Sequence, residues 1–195
     1  MFGSIKYNFA NIFNFDGRDA RQTFWFYMLF LFVLQVALGM IAAIPMYAEM
    51  ATGAFGVAQA GGGEQDVQSA MLGKIGGMMK SQVLIAVVIG AIASILFSAA
   101  FVRRLHDSGK TGWWLLLVLV PYLGSLAFNL VNIDATIALT EEMMTMTDPD
   151  QQVALQSQLY RYSALGYLAY IPVIVFGIWK SDDGPNRYGE EPQRF

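Results

Sequence analysis

Residues 83–102, VLIAVVIGAIASILFSAAFV, form an unbroken run of twenty residues without a charge. About twenty apolar residues in a helix cross the roughly 30 Å hydrocarbon core of a bilayer. As a soluble core helix, this run would need a large polar shell around it. Only 14% of the chain is charged, against about 25% in an ordinary soluble domain. The run therefore predicts a membrane-spanning helix.

Three further segments of the 195-residue chain have the same character. We predict an all-α membrane protein in which four transmembrane helices form a compact antiparallel bundle within a single integral membrane domain. The four spans are predicted at about 24–46, 83–102, 113–131 and 162–179.

The segments between the predicted spans differ in composition. Residues 47–82 contain Gly61-Gly62-Gly63 and are typical of a flexible outer loop, and residues 132–161 are predicted to be a second, acidic outer loop. Within the second loop, Asp148-Pro149-Asp150 predicts a helix start that continues toward the fourth span. A short polar link at 103–112 and a tail at 180–195 complete the chain.

The distribution of charge predicts the orientation. The side that holds both termini and the 103–112 link carries nine basic and seven acidic residues, and the other side carries three basic and eight acidic residues. Because cytoplasmic segments carry the excess of Lys and Arg, both termini and the link are predicted to be cytoplasmic. All four tryptophans fall at this side of their spans and are predicted anchors in the headgroup region: Trp25, Trp113, Trp114 and Trp179.

A stripe of small residues, Ala86, Gly90, Ser94 and Ser98, recurs every four positions along the span at 83–102. Such a stripe permits close approach of two helix backbones. We interpret it as packing against a neighbouring span, with self-association of the protein as the alternative.

Three predicted cytoplasmic segments are dense in glycine, arginine, aspartate and tryptophan. They read FDGRDARQTFW at 15–25, RRLHDSGKTGWW at 103–114 and GPNRYGEEP at 184–192. In the first segment, Asp19 followed three residues later by Gln22 predicts a capping box at the start of the first span.

These segments resemble a bacterial inner-membrane family called domain of unknown function 805. Its pattern is an F-x-G-R-x-x-R-x-x-F-W entry, an R-R-L-H-D-x-G-x-S/T-G-W-W loop and a G-x-N-R-Y-G-x-x-P exit, and all three occur here in order. The resemblance covers essentially the whole chain apart from 47–82 and 132–161. It implies a small multi-span inner-membrane protein, and it implies no activity.

The polar residues of the three segments admit two interpretations. Arginine pairs bidentately with carboxylate, so they form an ion-pair cluster that locks the helix ends together. Alternatively they bind an anion, with the turn at 108–112 offering backbone N–H groups and its neighbours offering charge. The candidate residues for either role are Asp16, Arg18, Arg21, Arg103, Arg104, His106, Asp107, Lys110, Asn186 and Arg187.

Chemistry has weaker support. His106 and Asp107 could act as an acid–base pair, but adjacent residues in a chain rarely orient each other as a catalytic dyad does. No sequence motif identifies a nucleophile. With one histidine and no cysteine, the sequence predicts no metal site and no cofactor. We therefore predict a protein that is not an enzyme.

The sequence favours a multi-pass, non-enzymatic component of the bacterial inner membrane. Its cytoplasmic Arg/His/Asp/Trp face is predicted to bind anionic phospholipid, a small anion or a membrane-protein partner, which includes a second copy of the chain. The alternative is a small oligomeric transporter or channel subunit. A net charge of −3 and the absence of a basic surface argue against nucleic acid as a partner.

Overall fold

The computed structural model describes residues 1–146 and 148–192, without the side chains of residues 158, 159, 161–163 and 165 in one helix. Arg194 and the side chain of Arg161, both part of the charge count, lie outside the described residues. The helices are α1 (Phe2–Ala10), α2 (Arg21–Gln59), α3 (Glu64–Asp107), α4 (Leu116–Val131), α5 (Ile133–Thr145), α6 (Pro149–Leu168) and α7 (Tyr170–Ile178), with a 3-10 turn at Gly112–Leu115 before α4.

Among the described residues, three helical segments are long and apolar enough to cross a membrane, namely α2, α3 and Gly112–Val131. The prediction of an all-α membrane protein is confirmed. The predicted fourth span corresponds to the end of α6 and to α7, where the apolar helix Gly166–Ile178 is shorter. Helices α6 and α7 are separated at Ala169. Because Pro172 has no N–H to donate to the carbonyl of Leu168, the helical ladder is interrupted there.

The prediction that residues 47–82 form a flexible loop is wrong. Helix α2 continues to Gln59 and α3 begins at Glu64, so that only residues 60–63 connect them. Ala, Met and Gln are good helix formers, and the run Gly61-Gly62-Gly63 that suggested flexibility lies in the turn itself. Gly61 has φ +79°, a left-handed conformation that favours glycine.

The second predicted outer loop is also largely helical. Helix α5 occupies most of its first half. The helix start predicted at Asp148-Pro149-Asp150 is confirmed, since α6 begins at Pro149 and the Asp148 carboxylate accepts the Asp150 N–H at 3.0 Å. This helix continues to Leu168, as the sequence indicated.

The chain divides into two compact units. The first comprises Met1–Val36, Ile89–Leu126 and the described residues of Ala164–Phe195. Its buried apolar core draws on four helices and contains Phe24, Phe101, Leu105, Val118, Ala169 and Phe176.

The small-residue stripe takes part in this first unit at Gly90. A Cβ added there would lie 2.8 Å from the Tyr122 hydroxyl and 3.2 Å from a Leu126 methyl, so α3 and α4 approach closely at this glycine. Ser98 is buried as well, whereas Ala86 is exposed. The interpretation as packing within the chain is therefore confirmed at Gly90 and not along the whole stripe.

The second unit comprises Ala37–Val88 and Ala127–Ser163. In it, Gln82 of α3 donates to the Ala42 carbonyl of α2 at 2.7 Å. On its exposed surface Lys80 of α3 pairs with Asp134 of α5 at 3.2 Å. The polar residues singled out by the sequence belong to the first unit.

Candidate functional site: a buried arginine and aspartate cluster

Asp107, the last residue of α3, lies at the centre of a buried ion-pair cluster. Its Oδ1 accepts from Arg18 Nε at 3.2 Å and from Arg18 Nη2 at 3.1 Å. Its Oδ2 accepts from Arg104 Nη1 and from the Ser181 hydroxyl. The side chains of Arg18, Arg104 and Asp107 are at most 1% exposed. One carboxylate thus joins the segment before α2, the end of α3 and the tail.

The two arginines use their remaining donors on backbone carbonyls of the C-terminal segment. Arg18 donates to the carbonyls of Gly184 at 2.6 Å and Asp182 at 2.8 Å. Arg104 donates to the carbonyl of Gly177 at 3.2 Å and to that of Trp179. The last carbonyls of a helix have no partner within the helix, so Arg104 caps the C-terminal end of α7.

Arg103 forms a second buried pair, with Asp19, at 3.2 Å between Nε and Oδ2. Its Nη2 donates to the Asn8 side chain at 2.6 Å, and its Nη1 donates to the carbonyls of Asn11, at 2.9 Å, and Asn14. Helix α1 and the loop after it are thereby held against the end of α3.

The prediction that Asp19 and Gln22 form a capping box is wrong. Helix α2 begins at Arg21, so Asp19 lies two residues before it, and its carboxylate instead pairs with Arg103. Burial raises the pKa of Asp19 to about 6, although the Arg103 guanidinium acts in the opposite direction. The ion pair with Arg103, which is 84 positions away in the sequence, takes the place of the local helix cap.

The anion-binding turn predicted at 108–112 is a helix C-cap. Gly109 has φ +69° and donates to the His106 carbonyl, while the Lys110 N–H donates to the Leu105 carbonyl at 2.9 Å. This is the Schellman arrangement, and it uses the N–H groups of Ser108, Gly109 and Lys110. A Cβ on Gly109 would also lie 2.6 Å from the Asp182 carboxylate. The turn therefore serves to end α3.

His106 contacts the tail and does not act on Asp107. Its ring stacks on Tyr188, with 3.8 Å between the ring centroids and 4° between the planes. Its Nδ1 lies 3.3 Å from the Gly17 carbonyl, and its own carbonyl accepts from Asn186 at 2.9 Å. Since the Asp107 oxygens are occupied by other donors, the two side chains do not form an acid–base dyad.

Six of the ten predicted site residues lie outside the buried ion-pair cluster: His106 and Asn186, which join α3 to the tail, and Asp16, Arg21, Lys110 and Arg187. Asp16 and Arg21 are exposed. Lys110 lies over the Trp179 ring at 5.0 Å. Arg187 donates to the Gly109 carbonyl at 3.3 Å and lies 4.7 Å from the centre of the Tyr188 ring. Lys110 and Arg187 thus flank the same helix-ending turn.

The tryptophans predicted as interface anchors are all exposed, from 36% for Trp25 to 78% for Trp113. Trp25 donates to the Gly177 carbonyl at 3.1 Å, which ties α2 to α7. Their role at a membrane interface stays a prediction.

Several residues of the cluster could not be identified from the sequence. Asn8 and Ser181 stand outside the quoted motifs, and nothing in their spacing relates them to α3. Asp19 stands inside a motif, but its position before a helix suggested a cap. Backbone carbonyls accept much of the arginine hydrogen bonding, and no residue type marks such a carbonyl in a sequence.

Long apolar helices whose ends are held by a buried charged cluster define a multi-pass membrane protein. The chain matches the family described as "Protein of unknown function (DUF805)" over residues 12–190, and it belongs to that family. It is similar to the inner membrane protein YhaH of Escherichia coli strain K12, with 24% identity over 125 residues, which are 64% of this chain and 79% of the relative. The YhaH protein of Escherichia coli O157:H7 matches to the same extent.

No solved structure matches the chain. The family and its relatives place the chain in the inner membrane, in agreement with the prediction. The family has no established activity.

Proposed function

We propose that this chain is a four-span, non-enzymatic component of the inner membrane whose termini and 103–112 link face the cytoplasm. The excess of basic residues on that side and the four tryptophans at the same ends support this topology. The apolar helix Gly166–Ile178 would then complete a fourth crossing together with the end of α6.

The buried cluster is proposed to be a structural clamp. The observation that carries this proposal is the saturation of Asp107, which is fully buried and accepts from Arg18, Arg104 and Ser181. A ligand anion would have to displace a carboxylate from guanidinium groups that are already desolvated and paired. Buried charges that are paired in this way are better suited to holding segments together than to exchanging partners.

The binding role is proposed for the cations outside the clamp, with an anionic phospholipid headgroup as the ligand. Lys110 and Arg187 flank the Gly109 turn, and each lies against an aromatic ring: Lys110 against Trp179 at the end of α7, and Arg187 against Tyr188 of the tail. Arginine-rich and lysine-rich segments next to membrane helices attract anionic lipid. The clamp would fix the segments that present these two side chains.

The experiment is thermal unfolding of the full chain in detergent, with and without phosphatidylglycerol. A ligand at a hundredfold excess over its Kd stabilises by about 2.7 kcal/mol, which is large enough to observe as a shift in Tm. The Lys110→Ala and Arg187→Ala double variant should lose this shift, and Lys6→Ala, an exposed cation on α1, should retain it. An unchanged shift in the double variant would contradict the binding role.

A further inference from the structure

An apolar cavity of about 490 Å³ lies among the helices of the first unit. Side chains of α2, α3, α4 and α7 line it, among them Phe32, Phe97 and Ile174. Its few polar groups include those of Gln35 and Tyr122. An apolar cavity offers water too few partners to hold it, so hydrocarbon is the better occupant at membrane depth.

A second pocket, of about 240 Å³, lies before the start of α2 and beside the tail. It carries side chains of both signs. The cations are Arg21 and Lys180, and the acids are Asp182, Asp183 and Glu191. We call it the mixed-charge pocket. A purely anionic ligand would meet three carboxylates there, whereas a ligand with a positive and a negative group would find a partner for each.

Helix α2 and the segment that runs from α7 into the tail contribute to the lining of both pockets. On α2, Arg21 of the mixed-charge pocket precedes Trp25 of the cavity by four residues, which is about one helical turn. Between the pockets Trp25 lies against Gly177, where an added Cβ would be 2.6 Å from the indole. Charged and apolar sites therefore follow each other along α2 and the segment that runs from α7 into the tail.

We propose that a bilayer phospholipid whose headgroup carries both a phosphate and a primary ammonium binds here. One acyl chain occupies the cavity, the phosphate faces Arg21 and the ammonium faces Glu191, beside the exposed ion pair that Lys180 and Asp183 form with each other at 2.8 Å. This inference goes beyond the proposed function, because the ligand class, the pocket and the residues differ from those around Lys110 and Arg187. It also gives the exposed Arg21 a partner that the buried cluster does not provide.

The test uses the full chain in detergent and phospholipids that carry a photoreactive diazirine in one acyl chain. Phosphatidylethanolamine, phosphatidylcholine and phosphatidylglycerol with identical chains are compared, and the cross-linked peptides are located by mass spectrometry. We expect cross-links on residues 25–35 and 170–174, with phosphatidylethanolamine giving about tenfold more than phosphatidylglycerol, a difference of about 1.4 kcal/mol. Equal yields, a preference for phosphatidylglycerol, or no cross-links in these segments would each overturn the proposal.

Two variants with matched controls separate the cavity from the headgroup. Ala93→Phe fills the cavity and should abolish these cross-links, whereas Ala91→Phe, on the same helix outside the lining, should preserve them. Glu191→Gln should remove the preference among headgroups, because it takes away the partner of the ammonium, and Glu190→Gln, an adjacent carboxylate outside the lining, should not. Retained cross-links in a folded Ala93→Phe protein would overturn the proposal. The comparison of headgroups needs no variant, so the proposal remains testable if Ala93→Phe does not fold.

Because the two lipid sites use different residues, their failures are distinguishable. If the cross-links are as expected but the Lys110→Ala and Arg187→Ala double variant keeps the Tm shift with phosphatidylglycerol, only the role of Lys110 and Arg187 is contradicted. If the double variant loses the Tm shift as expected but the expected cross-links are absent, only the site at the cavity is contradicted.

Discussion

Arg18 and Asp107 are 89 positions apart in the sequence and form a buried ion pair in which Nη2 and Oδ1 are 3.1 Å apart. Such a pair adds little stability over well-packed apolar residues, because both charges have been taken out of water. Removal of one partner is different, since it leaves the other charge buried without compensation. The cluster therefore makes correct placement of the tail a condition for stability.

Arg104→Ala should strongly destabilise the protein. It leaves Asp107 with one fewer cation, removes the Arg104 donor from the Trp179 carbonyl, and leaves the Gly177 carbonyl with Trp25 as its side-chain donor. Breaking a buried ion pair costs about 3–5 kcal/mol, measured as the free energy of unfolding in detergent. Lys110→Ala is the control in lipid-free detergent, because it removes only a cation–π contact worth about 0.5–1 kcal/mol. Equal losses from the two substitutions would show that the cluster is not a clamp.

Gly90→Ala should destabilise the protein, and Gly90→Leu should destabilise it more. Even the added Cβ would lie 2.8 Å from the Tyr122 hydroxyl, and a leucine side chain would force α3 and α4 apart. The control is Gly39→Ala, because a Cβ on Gly39 meets nothing within 4 Å. We expect this control to leave Tm unchanged or to raise it, since alanine is the better helix former by about 1 kcal/mol. An unchanged Tm in Gly90→Leu would contradict the close approach.

Stability should depend on pH through Asp19. Its pKa is about 6 in the folded protein, whereas an aspartate in an unfolded chain has a pKa of about 3.9. Between these values the folded state binds a proton that the unfolded state does not. The free energy of unfolding should therefore rise as the pH falls from about 6 to 4, and this gain is lost as the pH rises through the folded pKa.

The measurement compares unfolding of the wild type and of Asp19→Asn across this range, because the variant cannot bind the proton. Asp183→Asn is a control that should show no such change between pH 6 and 4, since the hydrogen bond from Lys180 lowers the pKa of the exposed Asp183 and moves its titration below this range. A difference between wild type and Asp19→Asn that stays constant with pH would contradict the raised pKa.

Reporter fusions test the orientation. Fusions that end at residues 60, 108, 145 and 195 should report outside, inside, outside and inside, because the basic excess and the tryptophans lie on one side. Residue 195 lies outside the described residues, so this fusion tests a prediction from the sequence alone. A periplasmic signal from the C-terminal fusion would overturn the four-span topology.

The site was only partly predictable. Arg18, Arg104 and Asp107 were identified by their residue types, since arginine and carboxylate at the end of an apolar helix need partners. The sequence left open whether those partners are ligands or each other. The same limit applied to Gly109, which was compatible with an anion-binding turn and with a helix C-cap until its hydrogen bonds were known.

The sequence by itself determined that this is an all-α membrane protein and where its apolar helices lie, because hydrophobic length and composition act over local stretches of chain. It also determined the start of α6, where an aspartate and a proline act on the adjacent backbone. Only the tertiary structure decided that Asp19 pairs with Arg103, that Asn8 joins them and that Asp107 holds the tail. These contacts join residues that are 74 to 95 positions apart, and their geometry depends on how whole helices pack, which no local pattern of residues encodes.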